Sequence, residues 1–199
     1  MNDFKNYYDI REAFWREHFQ QALEFDSFLA KTEPLFAQRW KDMADTFPPL
    51  SLEQRERLSG HNRKLNILVY CSAWCGDCAQ LVPLIHKIAG AVDGEVEMRL
   101  MERDVSEKLK DELRILGAMR VPIVVFLSED FHEVARMGDR SLTAYRRKAQ
   151  TETGAACSLG TLASPAADLE SEQAEWVDHI ERVLLMLRLA PPLRMRYRD

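Results

Sequence analysis

The sequence predicts an α/β protein: a mixed four-stranded sheet in the order β-α-β-α-β-β-α, with added helices before and after it. Three stretches carry this expectation. Leu65 to Ser72 is an apolar run too hydrophobic to have one wet face, and it leads into a helical pattern from Cys75 to Ala89. Glu95 to Met101 alternates, with Val96, Met98 and Leu100 on one side and Glu95, Glu97 and Arg99 on the other, as a half-buried strand does. Val121 to Leu127 is β-branched, and Ser128-Glu129-Asp130 turns it back into Phe131 to Met137, which makes a hairpin. Helical crossovers give parallel pairing and the hairpin gives antiparallel pairing, so the sheet is mixed, with helices on both faces.

Upstream, residues 1–60 read as a helical extension. Asp9 to Lys31 holds no Gly or Pro, and Ile10, Phe14, Ala22, Phe25 and Leu29 fit one broad helical face. A second helix starts near Pro34, where a missing N–H is harmless, with Thr32 as its candidate cap. It stops at Phe47-Pro48-Pro49. Ser51-Leu52-Glu53-Gln54 is a capping box, so a short third helix runs to Leu58 and ends at Gly60.

Residues 61–150 form the α/β unit. In its first helix Leu81, Leu84, Ile85 and Ile88 share a face, and Pro83 interrupts the backbone bonding. Ser106 caps a helix running to about Leu116, with Gly117 beyond its end. Gly138 ends the hairpin, and Ser141 caps a last helix carrying Leu142, Tyr145 and Ala149. Residues 151–168 are rich in Thr, Ala, Gly, Ser and Pro and read as a flexible segment containing Cys157. Residues 169–199 are a C-terminal helix and tail. The helix has an apolar stripe of Trp176, Ile180, Val183, Leu184 and Leu187, and Pro191-Pro192 stops it. The tail, with Arg194, Arg196 and Arg198, reads as an exposed solubilising end.

Composition narrows the function. Of 199 residues, 46% are hydrophobic, enough for a sizeable core, and the net charge is −5, so no broad basic field exists for nucleic acid or an anionic membrane. No run approaches the ~18 apolar residues of a membrane span, and Met1-Asn2-Asp3-Phe4-Lys5 does not open a secretory signal. A cytoplasmic protein is expected. Cys71, Cys75 and Cys78 crowd into eight positions, unlike a secreted disulfide framework; in a reducing compartment such a cluster is catalytic or metal-binding.

Two chemistries compete for that cluster. A thiol at a helix N-terminus meets unpaired N–H groups and the positive end of the dipole, which favour thiolate. Cys75 takes that place as the exposed nucleophile, and Cys78, one turn deeper, as the resolving sulfur. The metal reading takes Cys71, Cys75 and Cys78 together. Their Cys-x3-Cys-x2-Cys spacing resembles the cluster motif of radical S-adenosylmethionine enzymes, but Asp77 stands where those place an aromatic residue, and the chain is short of their barrel. Zinc lacks a fourth ligand from a second Cys-x-x-Cys or a close His pair. Cys71, inside the apolar strand, reads as a core residue. No metal or prosthetic group is expected.

From about Leu65 to Ala149 the chain resembles the thioredoxin superfamily. The matching residues are Ala73-Trp74-Cys75-Gly76-Asp77-Cys78 at the strand–helix junction, Pro83 in the helix, Val121-Pro122 before the third strand, and Gly138 after the hairpin. It is more closely similar to a bacterial branch with a helical N-terminal extension, through Trp74 to Asp77, Ala79-Gln80 and Arg103-Asp104. In that branch the second cysteine is often Ser; here it is Cys78. The resemblance implies a thioredoxin-like fold and a cis Val121–Pro122 bond facing the cysteines, with the preceding backbone pairing to substrate. Two departures stand out. Asp77 replaces a proline, and the buried acid that thioredoxin places near position 69 is absent, Val69 standing there; Asp77 is a candidate replacement acting through water.

The expected function is thiol–disulfide exchange. Cys75 attacks and Cys78 resolves, Trp74, Gly76 and Asp77 shape the site, Val121 and Pro122 receive substrate, and Arg120 favours acidic partners or steadies the Cys75 thiolate. The substrate would be a disulfide-containing protein or small molecule, with a separate reductase as electron donor. The alternative is a binding or adaptor protein that keeps the fold and uses the groove around Trp74 and Pro122 without turnover.

Overall fold

The computed structural model describes residues 8–151 and 166–198, positions 150 and 151 by backbone alone. The N-terminal segment departs from expectation. Instead of one helix it forms α1 (Glu12–Gln21), β1 (Leu23–Glu24) and α2 (Phe25–Lys31). Ala22 turns extended, with φ −73° and ψ 156°. Leu23 and Glu24 then pair antiparallel with Leu100 and Arg99. The cause is tertiary: the open edge of the neighbouring strand offers backbone partners that local helix bonds would otherwise supply. A segment without Gly or Pro carries no local mark of such a break. Among the described residues the sheet therefore has five strands, not four.

Then come α3 (Pro34–Ala44) and α4 (Leu52–Arg57). Pro34 opens α3, but the N-cap position is Glu33, without a side-chain bond. Thr32 instead closes α2, its Oγ1 donating to Phe28 O at 2.9 Å. The capping box of α4 is complete: Gln54 N–H donates to Ser51 Oγ at 3.1 Å, and Ser51 N–H to Gln54 Oε1 at 3.0 Å. Gly60 follows with φ +72°, a conformation that favours glycine.

The α/β unit runs β2 (Leu65–Cys71), α5 (Gly76–Ala89), β3 (Val96–Glu102), α6 (Glu107–Glu112), β4 (Ile123–Ser128), β5 (Glu133–Gly138) and α7 (Leu142–Thr151), the expected order. The strands lie β1-β3-β2-β4-β5 across the sheet. β2 and β3 are parallel; β2–β4 and β4–β5 are antiparallel. Every residue of β2 and β4 is buried, as continuous apolar runs require. Ser106 and Ser141 cap α6 and α7, accepting at 3.2 and 3.0 Å. α6 ends at Glu112, short of Leu116, because Leu116 and Gly117 take positive φ of 52° and 75° in a turn where Ile115 bridges Ala118.

α8 (Ala166–Leu189) buries its predicted stripe, including Trp176, Ile180 and Leu184. α8 stops at Leu189, before Pro191-Pro192 as expected, but Pro191 opens a further turn. It starts α9 (Pro191–Tyr197), where the first turn needs no N–H from it. The tail is anchored rather than free: Arg196 pairs with Asp130, Tyr197 Oη donates to Asp130 at 2.9 Å, and Arg63 Nη2 donates to Leu193 O at 3.3 Å. Its arginines stay exposed. Of the segment expected over 151–168, Thr151 ends α7 and Ala166 to Asp168 open α8; the remainder, with Cys157, lies outside the described residues.

One core joins these parts. α5 packs against both α3 and α8. Trp15, Trp40 and Trp176, from α1, α3 and α8, are all buried in it. Burial of each such side chain stabilises by about 2–3 kcal/mol. No described helix is long and apolar enough to cross a membrane.

Candidate active site

The strand–helix junction after β2 carries the thiols. Cys75 is the N-cap of α5, with extended φ −72° and ψ 129°. Its N–H donates to Ser72 O at 3.1 Å, and its carbonyl accepts Ala79 N–H at 3.0 Å as the helix begins. Gly76 is the buried first residue of α5, and Cys78 follows in the same turn. The Cys75 thiol points at Val121 O, 3.7 Å away. Ser72 N–H donates to Cys78 Sγ at 3.5 Å.

Burial pushes the Cys78 thiol up; hydrogen bonds from Cys75 and the Ser72 backbone partly counter this, while Cys71 and Asp77 add to it. Cys71 is pushed up further, by burial and then by Glu102, as a core position requires. All three sulfurs are free thiols. Exposure differs from expectation. Cys75 is 1% exposed and Cys78 0%, so the two sulfurs differ in their place on the helix, not in access. Cys75 lies against the β4 entry loop at Val121 O, and Cys78 against the Ser72 peptide.

That loop holds the Val121–Pro122 peptide, which is cis, as the resemblance implies. Gly138 lies across from it at the end of β5. A Cβ there would sit 2.8 Å from Pro122 O and 3.1 Å from Ile123 Cα, so glycine is the residue that permits the approach.

Charged groups frame one side of the site. Arg140 Nη2 reaches Asp77 Oδ2 at 2.5 Å, and Arg140 Nη1 reaches Asp139 Oδ2 at 3.3 Å. Arg120 Nη1 donates to the same Asp139 oxygen at 2.8 Å, and Tyr145 donates to the other. Asp77 and Arg120 thus belong to one ionic chain, Asp77–Arg140–Asp139–Arg120. Burial pushes the Asp139 carboxyl up, but hydrogen bonds from Tyr145 and Arg120 outweigh it and hold the group below its ordinary range. The Arg120 guanidinium bonds Asp139 and so leans on the loop after β5. Asp77, the candidate replacement for the buried acid, is ion-paired with Arg140.

On the other side, the Arg103 guanidinium sits 5.0 Å from the half-buried Trp74 ring. Beneath the turn lie two residues that sequence reasoning missed. Trp40, on α3, donates from Nε1 to Ala73 O at 3.0 Å. Glu102, the last residue of β3, pairs in register with Cys71. It accepts from the Ser72 hydroxyl and from Ala73 N–H at 3.1 Å. Its signal was readable: Glu102, half-buried, continues the inward register of Val96, Met98 and Leu100, and an acid on that register needs partners. Arg140 had no such mark. Among the described residues, no three His, Cys, Asp or Glu side chains are grouped to hold a metal ion.

A family profile described as thioredoxin matches residues 22–149. No curated protein matches the chain. Among solved structures, a protein of unknown function from Pseudomonas aeruginosa superimposes with a TM-score of 0.64 at 16% identity, covering 85% of this chain and 96% of that one. An HIV epitope-scaffold superimposes with a TM-score of 0.60 at 16% identity and the same coverages, 85% and 96%. At such identity the likeness speaks for the fold. The profile match begins one residue before β1 and ends inside α7, so the whole sheet and its thiol junction fall within it, and the chain belongs to the thioredoxin family.

Proposed function

We propose that the chain is a thiol–disulfide oxidoreductase acting through Cys75 and Cys78. One observation carries this reading: Cys75 caps α5 with its sulfur 3.7 Å from Val121 O, beside the cis Val121–Pro122 bond, while Cys78 lies in the same helical turn. The helix end favours negative charge on a sulfur placed there. The Cys75 thiolate attacks a substrate disulfide. A Cys75–substrate bond forms, the substrate S–S bond breaks, and the leaving sulfur takes a proton. The Cys78 thiolate then attacks Cys75, closing the Cys75–Cys78 bond and releasing the second substrate thiol. Two electrons pass to substrate, and a separate reductase restores the dithiol. Val121 and Pro122 receive the substrate backbone, Trp74 shapes the rim, and Gly76 lets the turn close. Three cysteines clustered outside any disulfide framework support a reducing, cytoplasmic setting.

The burial of Cys75 favours a second reading, a binding protein that keeps the groove without turnover. Cys78→Ser separates the two. Exchange leaves a reductant-sensitive adduct on Cys75 that is absent from Cys75→Ser. A partner retained by Cys75→Ser with no covalent adduct on the Cys78→Ser protein supports the binder and overturns exchange.

A further inference from the structure

Ser72 is the hub of the thiol junction. Its carbonyl accepts Cys75 N–H, its own N–H faces Cys78 Sγ, and its hydroxyl donates to Glu102. Each of these contacts reaches a different part of the site, and Glu102 is the only charged end among them. The carboxylate bonds Ser72 through Oε1 and the Ala73 N–H through Oε2 at 3.1 Å, so it spans the two residues just before Trp74-Cys75. Arg103 N–H also donates to Oε1 at 3.2 Å. Glu102 itself is fixed by β3, paired at its end with Cys71. The peptide aimed at the Cys78 sulfur is thereby clamped to a regular strand and not left to a loop.

We propose that Glu102 is a positioning residue for the dithiol, holding the Ser72 N–H on Cys78 so that the resolving step depends on it. The inference rests on the exchange reading above. Cys78 must carry negative charge to attack the mixed disulfide, and burial opposes that charge. A fixed N–H donor favours it, since hydrogen bonds to charged groups are stronger than neutral ones. Cys75 is served by the end of α5 and depends on Glu102 less. The Ser72 backbone bond is among the influences that counter the upward push of burial on the Cys78 thiol.

An aromatic disulfide that releases a coloured thiolate separates the two steps, with Cys157→Ser as background. Attack by Cys75 releases one coloured thiolate, and resolution by Cys78 releases the second. Glu102→Gln keeps the shape of the side chain and loses the charge. Ser72→Ala keeps the N–H and loses the tether. In both, the second phase is expected to slow by about five- to tenfold, and by clearly more than the first. Its pH midpoint should move upward, and Glu102→Asp should recover part of the rate. Unchanged second phases overturn the proposal. So do first and second phases that fall together with the melting temperature, because that marks a merely structural role. Failure of Cys78→Ser to form any adduct at Cys75 instead overturns the exchange reading itself, and this inference with it.

Discussion

Arg140 Nη2 lies 2.5 Å from Asp77 Oδ2, tying the loop after the hairpin to the first turn of the thiol-bearing helix across 63 positions of sequence. The Arg140 side chain is 9% exposed, so the pair is shielded from solvent. Removing the arginine takes a cation from Asp77, whose charge acts on Cys78, while Asp139 keeps Arg120 and Tyr145. Arg140→Met is expected to lose about 1–3 kcal/mol of stability in urea unfolding. It should also slow alkylation of Cys78 at neutral pH, because an unpaired carboxylate disfavours thiolate. Asp77→Asn in the same chain should restore part of both.

Gly138 makes the second test. An added Cβ would meet the backbone of Pro122, and backbone cannot step aside as a flexible side chain can. Gly138→Ala is therefore expected to destabilise by about 1–3 kcal/mol, although alanine would ordinarily gain from a less mobile unfolded chain. Thermal melts check it. A neutral or stabilising effect would mean that the loop tolerates displacement.

Glu172, on α8, gives a pH dependence. It is fully buried, accepts from Gln80 Nε2 at 2.6 Å, and has Arg147 Nη1 3.7 Å from its other oxygen. Burial pushes its carboxyl up, against the pull of Gln80 and Arg147. A raised folded pKa means that the folded protein holds the proton more tightly than the unfolded chain. The group's contribution is fully present below the ordinary carboxylate range and is lost as pH rises through the raised value. Glu172→Gln keeps an acceptor for Gln80 and has no charge to bury. It should equal or exceed the parent by about 1 kcal/mol at neutral pH, with the advantage gone near about pH 4. Chemical unfolding at several pH values measures this.

Tyr145 and Asp139 behave with the opposite sign. Asp139 is held below its ordinary range, so its contribution is present above the unfolded value and is lost as pH falls through the folded one. Tyr145→Phe removes the hydroxyl that helps hold it there. The variant should lose about 1 kcal/mol at neutral pH. The loss should shrink as acid protonates Asp139 in both proteins, which acid unfolding curves will show.

Much of the fold could be read from local pattern. The sheet order from β2 to α7, the capping box at Ser51, and the caps at Ser106 and Ser141 follow from burial periodicity and short-range bonding. What was missed is non-local. Leu23–Glu24 becomes a strand because β3 offers an open edge. Pro191 starts a helix because Asp130 and Arg63 give the tail a place to dock. At the site, the Cys75–Cys78 pair and the Val121–Pro122 bond were visible from motif and resemblance. The ion pairs of Asp77 and Arg120 were not, because their partners lie 63 and 19 positions away. Glu102 lay between these cases: its parity turned it inward, but its partners come from the turn after β2.

Disulfide exchange requires that the two sulfurs interconvert. Protein equilibrated in thiol–disulfide buffers spanning about −320 to −120 mV can be alkylated, digested and weighed by mass spectrometry. Cys75 and Cys78 are expected to lose and regain label together, as one two-electron couple, while Cys71 keeps its label state throughout. Cys75 and Cys78 that remain alkylated, or remain protected, at every potential in that range would contradict exchange.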